Sequence, residues 1–528
     1  MVKFEETLLL GGFLDQRVAD HPERIVFYSR GIETTYKQLS DQVNICARAM
    51  IASGLKKGDG VAVLSSQRTE VFITFFAAAK IGLLWMGINP KYQLREMSHV
   101  VSDAKPKMII GIQELDGRDY AEELSSIRDN FSFIEHFIGF DGGKNYDQSF
   151  DSWMEGSLAS DDELNTAINA VNSDVDSMLI YTSGSSGTPK GVLLPQKAIL
   201  KRAMYEWDVF CLEDDYPRGM CPLPITHVGG IIVLPLYAMV GGGNMILMET
   251  FDLNDYMQNI IDDKVNMLGA VPAMHMLMFK HPQFSLDLLN EKIKWILWSG
   301  AKMPDEAVKI FYSTNCNVGS TYGTTESCAS VTYAIKQSSS LEVLTHTIGK
   351  GMPDGEVRIA NEDKICDVNE EGEIQVKPDY SMSGYLNNKE ATDAAFTSDG
   401  WYRTGDIGAV RDDGNFTFTS RMSEMYVSGG YNIYPLEIEQ TLESYDKIAL
   451  CAVIDVEDEI YGHVGWAYIM PKPGMEINED EINEFARGQL ANYKVPRKYF
   501  IEPMLPMLPI GKIDKVSLKK RVSESGGL

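Results

Sequence analysis

Cysteine is scarce in this 528-residue chain, and its placement argues against a disulfide framework. The seven residues Cys46, Cys211, Cys221, Cys316, Cys328, Cys366 and Cys451 are scattered, odd in number and without a Cys-x-x-Cys pair. Reduced thiols in a cytoplasmic protein are the plain reading. Positive charge is also in deficit, with 48 Lys and Arg against 75 Asp and Glu and a net charge of −27. That balance argues against nonspecific nucleic-acid binding and against attraction to anionic lipid. The opening Met1-Val2-Lys3-Phe4-Glu5-Glu6 lacks a signal-peptide pattern. Long uninterrupted apolar runs are missing as well. The longest, Val71 to Ile88, contains Lys80 and reads as a buried helix, then Gly82, then a strand. Gly229–Gly243 holds Pro235 and five glycines, which suits a packed core better than a membrane span. No internal repeat is evident.

What is present is a chain long enough for more than one domain, since single cores stop growing near ~250–300 residues. Short apolar runs at Val61–Leu64, Lys107–Ile110, Met245–Met248 and Trp295–Trp298 read as strands, with a helix from about Thr69. Strands alternating with helices predict helix-covered parallel sheets. From about Ile348 to Phe418 the pattern shifts to short strands broken by Gly, Asp and Asn, as in a small β-barrel or meander. Asp161–Ser177 reads as an acidic, poorly periodic linker, and Ser523–Leu528 as a disordered tail.

The most informative segment is Tyr181-Thr182-Ser183-Gly184-Ser185-Ser186-Gly187-Thr188-Pro189-Lys190-Gly191, which follows the apolar strand Met178-Leu179-Ile180. Its glycines let the backbone approach a ligand closely. Its N–H groups, its hydroxyls and the Lys190 ammonium suit phosphate oxygens. It is not a Walker A loop, because Pro189-Lys190-Gly191 stands where that pattern needs Gly-Lys-Ser/Thr. The alternative is a flexible Ser/Gly linker, which the preceding strand and terminal lysine disfavour.

This loop strongly resembles the phosphate loop of the adenylate-forming superfamily, which includes acyl-CoA synthetases, peptide-synthetase adenylation domains and firefly luciferase. Four more segments match in order: Ser320-Thr321-Tyr322-Gly323-Thr324-Thr325-Glu326, Gly400-Trp401-Tyr402-Arg403-Thr404-Gly405-Asp406, Ser420-Arg421 through Asn432-Ile433-Tyr434-Pro435, and Pro509-Ile510-Gly511-Lys512-Ile513. The resemblance covers nearly the whole chain. It implies an α/β plus α+β architecture: a large N-terminal domain over residues 1–420 with two helix-covered sheets and a small β-barrel, a hinge at 421–424, and a smaller mobile C-terminal domain over 425–528. It also implies ATP, Mg²⁺ and CoA as reactants and cofactors, acting on a carboxylic acid. The chain would be a monomer or homodimer.

The resemblance assigns roles residue by residue. Lys512 would bridge the acid's carboxylate and the α-phosphate; taken alone it could be a solvated lysine beside Lys515, Lys519 and Lys520. Ile510 departs from the family's usual small hydroxyl residue. Glu326, with Thr182, would hold magnesium, or Glu326 could be a helix-start carboxylate. Thr325 would touch the α-phosphate. Tyr322 would pack on adenine, with Ser299, Gly300 and Ala301 opposite and Ser320, Thr321 and Gly323 adjoining. Asp406 would accept both ribose hydroxyls, or be a turn aspartate. Arg421 would bind near the ribose or phosphate, or lie on the surface. His227 would shape access to the acid, or be structural. Gln196 stands where relatives carry a second histidine and receives no role. Glu424 would be the hinge residue, where relatives have Asp or Lys, and Ser428, Gly429 and Gly430 would line the thiol tunnel.

By the same register His227, Gly229, Val233, Trp298, Ala301, Thr321, Gly323, Ala329 and Ser330 would line the acid pocket, with Trp298 as its floor. No acidic residue lies in His227–Val233, and Asp252 reads as a helix N-cap. Amino-acid activation is therefore disfavoured, leaving a small or medium aliphatic or aryl acid. A carrier-protein-loading enzyme stays open as an alternative to a CoA ligase, and a silent nucleotide-binding scaffold or a luciferase-like oxygenase as remoter ones.

Overall fold

Short apolar runs become adjacent strands because each can bury side chains on both faces only within a covered sheet. The computed structural model describes residues 9–182, 189–212, 215–352, 357–377, 381–428, 431–458, 461–490, 492–508 and 512–524. The chain divides into two compact units, Met1–Val357 with Val376–Tyr402, and Arg358–Gln375 with Arg403–Leu528.

Among the described residues the first unit holds three larger sheets and a two-stranded one, Glu114–Leu115 with Arg118–Asp119. The eight-stranded one runs in the order Gly384–Tyr385, Lys190–Pro195, Asp176–Thr182, Leu84–Ile88, Gly60–Leu64, Met108–Gly111, His136–Gly139, Gln148–Ser149. Its strands are parallel from Asp176–Thr182 onward, and antiparallel at the Lys190–Pro195 edge. The Val71–Ile88 run forms the expected pair, a helix over Thr69–Lys80 and a strand over Leu84–Ile88. Gly82 turns the chain between them at φ +75°, a conformation that costs glycine little. Residues Val71–Lys80 are all buried, so this helix is interior on every side. The second sheet has the order Met267–Ala270, Trp295–Ser299, Asn317–Thr324, Ala329–Ile335, Lys350–Gly351, and the third has four strands around Ile25–Ser29.

The second unit holds a five-stranded sheet, in the order Lys364–Ile365, Val357–Asn361, Gly372–Val376, Tyr402–Gly408, Ser420–Arg421. Among the described residues its strand order is an open path. The run Ile348–Phe418 is thus divided: Lys350–Gly351 and Gly384–Tyr385 belong to sheets of the first unit. The expected boundary near Ser420 falls inside the second unit, because Ser420–Arg421 pairs with Tyr402–Gly408. A further sheet, centred on Ile448–Asp458 and Gly462–Pro471, has helices on both faces. Ile438, Leu442 and Ile482 pack on Val453 and Ala467, while Leu518 and Val522 pack on Ile454 and Trp466.

Three local readings meet the structure differently. Asp252 is the N-cap of Leu253–Ile261, its Oδ1 accepting the Asp255 N–H at 2.9 Å. Asp161–Ser177 is not a linker: Asp161–Asn169 is helical, and the strand Asp176–Thr182 begins within the segment. The missed signal is a capping box, in which Ser160 accepts the Glu163 N–H and Glu163 accepts the Ser160 N–H. Of the expected disordered tail, Ser523 and Glu524 belong to the helix Lys515–Glu524, and 525–528 lie outside the described residues. Among the described residues no helix is long and apolar enough to cross a membrane. The Ser160→Ala variant should lose about 1 kcal/mol of local helix stability. Hydrogen exchange across residues 161–169 should accelerate roughly fivefold; unchanged exchange would show that the cap contributes nothing.

Candidate active site

In the first unit, Thr182 and Lys190 face each other across an antiparallel pair, so a strand enters and a strand leaves the phosphate-type loop. Ser183, Gly184, Ser185, Ser186, Gly187 and Thr188 lie outside the described residues. The Lys190 ammonium stands 5.1 Å from the Tyr385 ring centroid, a cation–π contact. The Tyr385 hydroxyl donates to Glu326 Oε1 at 3.1 Å. Tyr402 is buried, and its hydroxyl bonds the Thr324 side chain. Desolvation first, and the Glu326 carboxylate next, push both phenols well above the ordinary tyrosine range, so both stay protonated.

Glu326 sits in a hairpin turn, not at a helix start. The Thr324 N–H donates to Ser327 Oγ at 2.9 Å, and the Ser327 N–H to Thr324 Oγ1 at 3.1 Å. Beyond the turn Cys328 and Ala329 have φ +59° and +94°, a conformation unfavourable for side chains with Cβ. Gly323 permits the crossing: a Cβ there would lie 1.8 Å from the Ala329 carbonyl oxygen. Thr325 and Glu326 are half-buried. Among the described residues no group of three or more His, Cys, Asp or Glu could hold a metal. A single carboxylate fits an ion completed by phosphate oxygens and water, as magnesium prefers.

Ser299 and Thr321 end two parallel strands side by side, with Ser299 Oγ donating to the Thr321 carbonyl at 3.0 Å. Gly300 leaves the strand at φ +86° and Ala301 is exposed. Ser320 is buried, while Tyr322 is half-buried against the main core. The expected adenine-side residues therefore collect at strand ends, where open α/β sheets bind ligands.

His227 precedes a π-helical stretch, Gly229–Leu236, and its carbonyl accepts the Gly230 N–H at 3.0 Å. Such stretches are rare and often functional. Val233 is half-buried among buried neighbours, and Ala329 and Ser330 are buried. The helix Gln196–Phe210 packs on both the π-helix and the strand Ala329–Ile335. Trp298 is not brought to these residues. It is 4% exposed, stacks on Phe311 with ring centroids 6.4 Å apart, and belongs to the second core cluster. Its neighbour Leu297 packs on the main core instead. Strand alternation sends the two to opposite faces, a fact that register with relatives does not reveal.

The sequence reading missed Tyr385, and also Arg202 and Glu206. Glu206 is 2% exposed; burial pushes its pKa up to about 7, opposed by Ser330 and Arg202. Ser330 lies close enough to act electrostatically, but neither Glu206 oxygen closes a hydrogen bond of good geometry. Arg202 Nη2 donates to the Ser327 carbonyl at 3.1 Å. On the sequence Arg202 and Glu206 are an ordinary i,i+4 surface pair. Gln196, left without a role, is structural: it accepts the Leu10 N–H at 2.9 Å and donates to the Ala79 carbonyl at 2.8 Å.

In the second unit Asp406 and Arg421 are cross-strand partners, with Arg421 Nε 3.3 Å from Asp406 Oδ1. Asp406 is 1% exposed and lies within a strand, not in a turn. Thr404 Oγ1 accepts its N–H at 3.1 Å and donates to the Ile374 carbonyl at 2.7 Å. The Lys512 carbonyl accepts the Leu508 N–H at 2.7 Å. The residue is exposed, yet enough protein surrounds its ammonium for desolvation to pull its pKa down. The nearby Arg421 guanidinium adds to this, while Asp406 and Glu424 oppose it. Pro509, Ile510, Gly511, Gly429 and Gly430 lie outside the described residues. Ser428 is buried and lines a small recess with Tyr461, Tyr493 and Arg497. The sequence reading missed the last three. Glu424 ends a 3₁₀ turn, and its Oε2 accepts from Lys515 Nζ at 2.8 Å.

The AMP-binding enzyme family model matches residues 14–386, and the AMP-binding enzyme C-terminal domain matches residues 437–512. The chain is 30% identical to the long-chain-fatty-acid–CoA ligase FadD13 of Mycobacterium tuberculosis, covering 97% of this chain and 98% of that one. It is 29% identical to a feruloyl-CoA synthase of Amycolatopsis sp, covering 97% and 99%. The solved o-succinylbenzoate coenzyme A synthetase of Bacillus subtilis, in complex with ATP and magnesium ion, superposes with a TM-score of 0.81 at 26% identity, covering 96% and 99%.

Placing Trp298 in the second core predicts that Trp298→Ala costs about 3–5 kcal/mol of stability and does not lengthen the acids accepted. Denaturant unfolding and a chain-length series check this; longer accepted acids would return Trp298 to the pocket.

Proposed function

Because the chain belongs to the AMP-binding enzyme family, we propose that it joins a carboxylic acid to the thiol of CoA through an acyl-adenylate, using ATP and releasing pyrophosphate and AMP. The observation that carries this reading at the level of residues is the gathering of Asp406, Arg421 and Lys512. They come from three separate motifs, and Lys512 feels the charge of both others. A buried carboxylate beside two cations suits a nucleotide that offers hydroxyls at one end and phosphates at the other.

In the first half-reaction an acid carboxylate oxygen attacks the α-phosphorus of ATP, and the bond to pyrophosphate breaks. Lys512 supplies positive charge where oxygens crowd around phosphorus, the step at which preorganised charge acts most strongly. Asp406 accepts the ribose hydroxyls, and Arg421 both steadies that carboxylate and offers donors to the nucleotide. Thr182 and Glu326 would hold magnesium, which when bound shields phosphate charge. Tyr385, as a neutral donor, keeps the Glu326 carboxylate in place. In the second half-reaction the CoA sulfur, having lost its proton, attacks the acyl carbon, and the bond to AMP breaks. The recess at Ser428 is where we place the thiol's approach, and residues 421–424 are the bend between the half-reactions.

We further infer an acid with an uncharged tail, small or medium, received among His227, Gly229, Val233, Ala329 and Ser330. The relatives' named substrates range from long-chain fatty acids to ferulate, so family membership leaves the acid open. A cytoplasmic location fits the reduced thiols.

The test is pyrophosphate release from MgATP over a panel of carboxylic acids, each with and without CoA, beside Lys512→Ala. We expect acid-dependent release, thioester only with CoA, and a fall of about 10²–10³-fold in Lys512→Ala. Release without thioester would move the acceptor to a carrier protein. No release with any acid would overturn the reading.

A further inference from the structure

Glu424 is not a solitary carboxylate at the bend. Lys515 Nζ lies 2.8 Å from Glu424 Oε2 and 2.9 Å from Glu439 Oε1. The three residues come from the turn Met422–Glu424, the helix Pro435–Glu443 and the first position of the helix Lys515–Glu524. The two arms differ. Glu439 is 6% exposed, and its Oε1 also accepts the Val453 N–H at 2.6 Å, so it is fixed to the central sheet. The Glu424 side chain is 37% exposed. The buried arm holds Lys515 in place, while the half-exposed arm is weak enough to break and re-form. Lys512 lies three residues before Lys515, and its neighbour Ile513 is bridged to Met507.

We propose that Lys515 is a positioning residue that ties the bend at Glu424 to the loop carrying Lys512, so that the bend opens only when the Lys515–Glu424 ion pair breaks. The idea rests on the reading of Glu424 as the bend and Lys512 as catalytic. A bend held this way keeps Lys512 at a set distance during acid activation. It then gives way at a single contact, without disturbing the Glu439 anchor or the sheet behind it. A lysine serving stability alone would show no special coupling to residues 421–428.

The test needs no substrate. Hydrogen exchange over residues 420–428 is measured for the full-length protein and for Lys515→Met, Glu424→Gln, their double variant and Lys515→Arg. Each single change should speed exchange about fivefold. The double should go no further than either single, and Lys515→Arg should restore the wild-type rate. Additive effects, or no effect, overturn the tie. Lys515→Met leaves buried Glu439 without its cation, so thermal unfolding is recorded alongside. If that variant does not fold, Glu424→Gln, which keeps the Lys515–Glu439 pair, carries the test against wild type. In the activity arm, Glu424→Gln should shift the ratio of pyrophosphate release to thioester formation about fivefold, and an unshifted ratio counts against the tie. A wild-type protein that releases no pyrophosphate with any acid would sink the proposed function, while the exchange result would still decide the tie.

Discussion

A parallel sheet must cover both of its faces, and that requirement organises the first unit. The strands Gly60–Leu64, Leu84–Ile88 and Met108–Gly111 are buried along most of their length, and Val71–Lys80 of the covering helix is buried throughout. Such strands have no room for polar chemistry in their middles. Groups that must meet water and phosphate are driven to the strand ends and to the turns beyond them. Thr182 and Lys190 flank one such turn, Ser299 and Thr321 end two neighbouring strands, and Glu326 sits in the hairpin after Asn317–Thr324. Close packing also sets the backbone there: Gly323 is the residue that lets one strand pass the Ala329 carbonyl.

Electrostatics is the second organising influence. In a chain with net charge −27, a cation at a site must be kept from collapsing onto the nearest carboxylate. Lys190 rests over an aromatic ring, Lys512 lies beside Arg421 as well as Asp406, and Lys515 is committed to two glutamates. The carboxylates are managed in the same way: Glu326 receives a phenol and Asp406 faces Arg421. Each pairing holds a charge in place while leaving donors or lone pairs for a ligand.

Much of this was legible in the sequence. The strand–helix–strand reading of the first half holds, as do the Gly82 turn and the Asp252 cap, because each depends on residues adjacent in the chain. Asp406 and Arg421 stood in recognisable motifs, and the structure makes them cross-strand partners. The misses have more than one cause. Trp298 was placed by register alone, but its face depends on which cluster its strand alternation serves. Tyr385 reaches Glu326 from 59 positions away in sequence, a distance no local pattern spans. Arg202 and Glu206, four apart on one helix, carry no local mark of burial, and only helix packing buries them. The capping box at Ser160 was a local signal overlooked within an acidic run.

The sequence by itself determined the fold class, the ordered motifs and hence the family chemistry, because these rest on short stretches whose residue types and spacing suffice. Tertiary structure decided which side chains share a pocket face, which charges are paired, and how a lysine near the C-terminus grips the turn at Glu424. Those outcomes depend on contacts between segments far apart in the chain. Their burial and distance, which set the energy of every polar interaction, do not exist until the sheets and helices have packed.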